Sequence, residues 1–251
     1  MRNFKKDNLE VYIYRNRQLM GDAAAKDISD CIKGVLANKS ECNIIFAAAP
    51  SQNDVLGSLI LNKDIDWSKI NAYHMDEYIG LEESAPQRFG NFLKNAIFDK
   101  VPFKSINYIA YSDNTDDNIK RYQELLLKNT IDLVIMGIGE NGHIAFNDPH
   151  VADFKDNKPI KVVELDNICR QQQVNDGCFA SIELVPTHAL TLTVPTLFNG
   201  GNLFCIVPAK NKDKAVYETI NGSIDEHCPA SILRLHKNAK LYLDDQSSAL
   251  L

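Results

Sequence analysis

Short apolar runs alternate along this chain with amphipathic stretches, and that alternation leaves few folds open. Residues 9–14 (LEVYIY), 42–50 (CNIIFAAAP), 70–78 (INAYHMDEY), 106–111 (INYIAY), 131–139 (IDLVIMGIG), 202–208 (NLFCIVP) and 239–244 (AKLYLD) read as strands, with further extended character at 158–165 and 188–200. Between them, 17–40, 52–64, 88–101, 116–129 and 211–222 carry apolar residues at helical spacing. Pro50 stops one strand, Ser51 stands where it can cap the next helix, and Gly222 closes the last one. A strand–helix alternation of this kind predicts an α/β fold. We read one domain over residues 1–251, a three-layer sandwich whose mostly parallel sheet carries helices on both faces. In such sheets the ligand lies outside the C-terminal ends of the strands. Three of those ends are chemically unusual: 47–52, 75–80 and 137–149.

Composition narrows the partners. A formal net charge of −6 argues against nucleic acid and anionic membranes. No run approaches the ~18 apolar residues that span a bilayer, and the first residues lack the apolar core of a signal peptide. The cysteines (31, 42, 169, 178, 205 and 228) form no C-x-x-C and have no histidine at zinc-finger spacing. They read as dispersed thiols in a reducing cytoplasm, with no metal site among them.

The run from Ile131 to Pro149, IDLVIMGIGENGHIAFNDP, spells G-x-G-x-x-G with Gly137, Gly139 and Gly142. A dinucleotide site needs a helix directly after those glycines, so that its N-terminus meets the pyrophosphate. Here Asn147, Asp148 and Pro149 break any helix. The glycines instead let backbone approach a small ligand and deliver His143 at a strand tip. Carboxylates at Glu140 and Asp148 flank that histidine. One of them can fix its tautomer, which suits a proton donor or shuttle. A second acidic site, Asp76 and Glu77, follows another strand. Neighbouring side chains on an extended segment point opposite ways, so one of the two can face a pocket while the other faces structure or solvent. A carboxylate base opposite an imidazole acid is an arrangement for moving a proton beside a carbonyl.

MDEYIGL (75–81), GIGENGHIAFNDP (137–149), VPTHALTLTVPTL (185–197) and CPASILRLH (228–236), in this order and spacing, resemble the glucosamine-6-phosphate deaminase (isomerase) family. That family shares a superfamily with 6-phosphogluconolactonases. The resemblance runs from about the first helix to the last strand and implies a modified doubly wound, Rossmann-like sheet. It implies an enzyme that opens the ring of an amino-sugar 6-phosphate, isomerises aldose to ketose through an enediol-type intermediate, and releases ammonia. No metal or redox cofactor is implied, and the partner is a small-molecule sugar phosphate. A homo-oligomer stays open, since the family includes monomers and hexamers.

Carried over by motif, Asp76 would move the proton between sugar carbons and His143 would assist ring opening. Asp148 stands where the family usually has Glu, as the carboxylate partner of that histidine. Asn141 stands where some members have Asp, leaving the acidic set around His143 incomplete. Lys212 matches the lysine on the substrate phosphate. The phosphate turn departs most: a Gly-Gly-Thr/Ser-Pro type turn is replaced by AAAPSQ, 47–52. Ala48, Ala49 and Ser51 are then the expected contacts there, with Glu77, Gly139, Gly142 and Arg170 completing the binding set. Arg88 reads as a solvated surface residue, with a compensating cation as the alternative. A lactone hydrolase, an isomerase that does not deaminate, and a non-catalytic sugar-phosphate sensor are the competing readings.

Overall fold

The computed structural model describes residues 1–111 and 114–251. Its strands are β1 (Arg2–Lys6), β2 (Leu9–Tyr14), β3 (Cys42–Phe46), β4 (Ile70–His74), β5 (Asp76–Tyr78), β6 (Ser105–Asn107), β7 (Leu133–Met136), β8 (Ile160–Glu164), β9 (His188–Leu192), β10 (Asn202–Val207) and β11 (Ala239–Asp244). The α-helices are α1 (Arg17–Leu36), α2 (Asn53–Leu61), α3 (Phe89–Leu93), α4 (Thr115–Lys128), α5 (Asn167–Asn175), α6 (Val194–Phe198) and α7 (Asp213–Asn221). Among the described residues, no helix is long and apolar enough to cross a membrane.

The central sheet has the order β1-β2-β11-β10-β7-β3-β4-β6, parallel throughout except for the β1–β2 pair. Its inner strands are mostly apolar because both faces are covered, and β7 is apolar at every position. In β7, Leu133 and Ile135 join the core under α1, α2 and α3, while Val134 and Met136 join the core under α4, α6 and α7. Residues of β10 divide the same way: Phe204 and Ile206 to one core, Leu203, Cys205 and Val207 to the other. The mostly parallel α/β sandwich expected from the sequence is therefore observed. From β3 the chain moves outward through β4 to β6, then returns through β7 to β10 and β11. The direction reverses between β3 and β7, where the Ala47 amide donates to the Ile135 carbonyl at 2.9 Å. A crevice at such a switch point is the ordinary ligand site of an open parallel sheet.

Two elements differ from expectation. β1 was not expected. It is an edge strand whose RNFKK holds one apolar residue, Phe4, and no apolar run, and it pairs with β2 through a turn holding Asp7 at φ 51°. The segment 70–78, expected as one strand ending in a loop, is two. Met75 turns the chain out of the central sheet, and β5 enters a small antiparallel sheet of order β5-β9-β8. The Met75 carbonyl is held there by the Leu192 amide at 2.8 Å.

Candidate active site

The sheet change at Met75 sets Asp76 in place. It opens β5 opposite Thr191 and lies at the wall of a cavity over the β3 and β7 ends, 6% exposed. His74, wholly buried, fixes the backbone beneath it. The Ile109 amide donates to His74 Nε2 at 2.8 Å, so the proton sits on Nδ1 and is given to the Asp76 carbonyl at 2.9 Å. Burial pushes the His74 imidazole down to about 3, keeping it neutral for that role. Burial also raises the Asp76 carboxyl well above the usual carboxylate range, and the neighbouring Glu77 adds to this. A desolvated carboxylate of raised pKa is a stronger base than one in water.

Glu77 points the other way and is corrected here as a substrate contact. Its Oε1 accepts from the Tyr78 and Phe89 amides at 2.9 and 3.1 Å, and its Oε2 from the Gly90 amide at 3.0 Å, at the start of α3. Arg88, expected at the surface, is buried beside it, 3.4 Å from Oε2. Burial raises the Glu77 carboxyl, and Arg88 and the three amides offset part of that rise. Glu77→Gln should therefore leave a buried guanidinium unpaired and lower stability by about 3 kcal/mol. Urea unfolding with a lower midpoint and unchanged m-value would show it; an unchanged midpoint would contradict it.

The turn after β7 is built around one ring. A Cβ on Gly139 would lie 2.2–2.3 Å from three atoms of the His143 imidazole, so only glycine leaves room for it. The Gly139 amide donates to the His143 carbonyl at 2.9 Å, closing the turn. Gly142 has φ +84° and an added Cβ would meet Cys228 Sγ at 2.7 Å. Its role is to form the turn, and it does not line the cavity where a substrate contact was expected. His143 Nδ1 lies 2.9 Å from Asp148 Oδ1, with the oxygen off the N–H direction. The shorter aspartate thus reaches the ring without a glutamate's extra methylene. Burial would raise the Asp148 carboxyl, but His143 and the Asn141 amide outweigh it and hold it below the usual range. Asn141 stands behind the ring. Its amide donates to Asp148 at 3.0 Å and to Asp166 at 3.1 Å, while its oxygen accepts the His143 amide at 3.1 Å. Asp166, the N-cap of α5, is a carboxylate that the sequence reading missed. His143, Asp148 and Cys169 have donor atoms within 4.8 Å of one another. They could share a cation, but the 2.9 Å His143–Asp148 contact is closer than the ~3.3 Å between ligands of a tetrahedral zinc.

The lining of the same cavity also includes Ala47 to Ser51, Lys212 and residues of α5. Ala48, Ala49 and Ser51 line it, and the Ser51 hydroxyl accepts from the Gln52 amide group at 3.0 Å. Lys212 is buried and has no ion pair or hydrogen bond from its ammonium among the described residues. Burial lowers its pKa, opposed by Asp176 and Glu140. Ala209, at φ 82° and ψ 151°, turns the chain into that lysine and is held by the Asp244 carboxylate at 3.2 Å. A non-glycine residue rarely adopts this conformation, and such strain collects at functional sites. Arg170 is corrected as a phosphate contact. Its guanidinium donates to the Ile182 and Val185 carbonyls at 2.6 and 3.0 Å, bracing α5 from outside the cavity. The cation at the mouth is Arg17, paired with Asp54 and donating to the Pro50 carbonyl at 3.0 Å. Gln172, Gln173, Asp176 and Asn211 also line the cavity and had no sequence signal.

The fold agrees with the comparisons. Residues 15–243 match the family described as glucosamine-6-phosphate isomerases/6-phosphogluconolactonase. A glucosamine-6-phosphate deaminase of Listeria welshimeri is 32% identical over 95% of this chain and 99% of its own length. One from Bacillus cereus is 29% identical over 96% and 89%. Among solved structures, a monomeric glucosamine-6-phosphate deaminase superposes with TM-score 0.86 at 26% identity, covering 96% of this chain and 99% of its own. A 6-phosphogluconolactonase of Thermotoga maritima, at 16% identity and TM-score 0.77 over 94% and 99%, shares the fold. The chain belongs to the glucosamine-6-phosphate isomerase/6-phosphogluconolactonase family.

Proposed function

We propose that this protein is an amino-sugar-phosphate deaminase/isomerase, converting glucosamine 6-phosphate or a close analogue to fructose 6-phosphate and ammonia. One observation carries the reading: the Asp76 carboxyl, the His143 imidazole and the Lys212 ammonium, which has no ion pair among the described residues, line one cavity. His143, oriented by Asp148, gives a proton to the ring oxygen as the pyranose opens. Asp76 then removes the proton from C2 and returns it to C1, while a second proton passes from the amine nitrogen to the C1 oxygen. The C2 amine becomes the imine of the ketose; water adds to that carbon and ammonia leaves. Every step is a proton transfer or hydration that side chains at the site can serve. The similarity to proteins named glucosamine-6-phosphate deaminase supports this reading. A lactonase would need water activation at His143 and has no use for a desolvated base at Asp76. The six free cysteines suit a reducing compartment such as the cytoplasm.

The anion grip we assign to Lys212, the Ser51 hydroxyl and Arg17. Replacing Lys212 by Ala should raise KM for glucosamine 6-phosphate by roughly 10–150-fold, the worth of one charge-assisted contact, with little change in kcat. Steady-state kinetics would read this directly, and an unchanged KM would remove Lys212 from the phosphate site.

A further inference from the structure

We propose that Asp176 is a specificity residue that makes capture of the substrate's phosphate proton-linked: the pocket takes a phosphate monoester together with one proton. The inference rests on the deaminase reading above. Asp176 follows α5 directly and lines the cavity with Lys212 and Ser51. It does little for the fold. Among the described residues it forms no ion pair, and the hydrogen bond to its carboxylate is a long one, 3.4 Å from Gln172 Nε2. An acidic side chain at an anion site would ordinarily be balanced by cations, and here they are scarce. Arg17, part of the grip, brings no net charge because Asp54 lies 2.6 Å from it, and Glu140, held by Asn211 at 2.7 Å, adds a further carboxylate acting on Asp176. Lys212 is thus the one cation at the cavity without an ion pair among the described residues.

A phosphate monoester carries up to two negative charges, with a second pKa of about 6. Seated beside Lys212 it meets Asp176, and two anions that share a site cannot both stay fully ionised. The complex therefore retains one proton between carboxyl and phosphate, where it serves as a hydrogen bond instead of a repulsion. The groups facing Asp176 act in both directions: burial and Glu140 favour its neutral form, while Lys212, Gln172 and His143 oppose it, and the net direction is upward. The same carboxyl would accept from a hydroxyl of an unphosphorylated sugar without any proton uptake. The two cases can therefore be separated by counting protons.

Titration calorimetry of the protein with glucose 6-phosphate at pH 8, in buffers of different ionisation enthalpy, counts that proton. Wild type should take up close to one proton per ligand bound. Asp176→Asn should take up none and bind about tenfold more tightly at this pH. In kinetics with glucosamine 6-phosphate, wild-type KM should rise about tenfold per pH unit above neutrality; the variant's KM should stay flat, with the effect on KM and not kcat. Binding without proton uptake by wild type, or equal uptake by both proteins, overturns the inference and leaves the deaminase reading standing. Wild-type protein that binds neither glucose 6-phosphate nor inorganic phosphate and releases no ammonia overturns both.

Discussion

Asp76→Asn should lower kcat for ammonia release by about 10³–10⁴-fold and change KM little. Positioned acid–base catalysis contributes about 10²–10⁴-fold, and Asp76 would serve both the removal at C2 and the delivery at C1. The substitution keeps size and hydrogen bonding but removes the basic oxygen. The raised carboxyl also sets the acid limb of the rate profile. Below its pKa the base is protonated, so kcat/KM should fall with acid well above the pH at which an ordinary carboxylate titrates. A second consequence concerns stability. A carboxyl whose pKa is higher folded than unfolded destabilises the fold progressively as pH rises past the unfolded value. Asp76→Asn should therefore melt at a higher temperature than wild type at pH 7, the expected relation between a strained site and its fold. A variant equally active with wild type, or less stable, would place the base elsewhere.

Gly139→Ala should cost about 10²–10³-fold in kcat, although it adds one methyl group to a residue that has no chemistry. That methyl would occupy the space of the His143 ring, with contacts of 2.2–2.3 Å, and the ring must swing away from both the cavity and Asp148. The loss should match that of His143→Gln, and the double variant should be scarcely worse than either single one, because both remove the same acid. Additive losses would mean that Gly139 acts through backbone conformation and not through the imidazole. Circular dichroism and the melting midpoint separate this outcome from misfolding.

Those residues were legible because each sits at a strand tip inside a dense local pattern: Asp76 after β4, His143 in the glycine turn, Lys212 after β10. The sheet could be read for the same reason, since strands buried on both faces are runs of mostly apolar residues with few polar positions to break them. What escaped depends on tertiary placement. Arg17 belongs to the start of a helix nearly 200 residues before Lys212 and reaches the cavity because α1 packs on α2 beside the Ala49–Ser51 turn. Asp166 is an ordinary helix cap until the fold sets it against Asn141. Glu77 was misassigned because adjacent strand positions face opposite ways, and sequence does not say which of Asp76 and Glu77 turns inward. Arg88 is buried because Glu77 waits for it, a pairing invisible to composition. His74 looked like part of a strand, and its service to the Asp76 backbone appears only with the Ile109 amide in place.

The measurement that tests the central claim most directly is product analysis after adding glucosamine 6-phosphate to the purified protein at neutral pH. Ammonia and fructose 6-phosphate in equal amounts, formed by wild type and absent with Asp76→Asn, is the expected result. Folded wild-type protein that forms neither product, yet hydrolyses 6-phosphogluconolactone or binds a sugar phosphate without turning it over, would contradict the account.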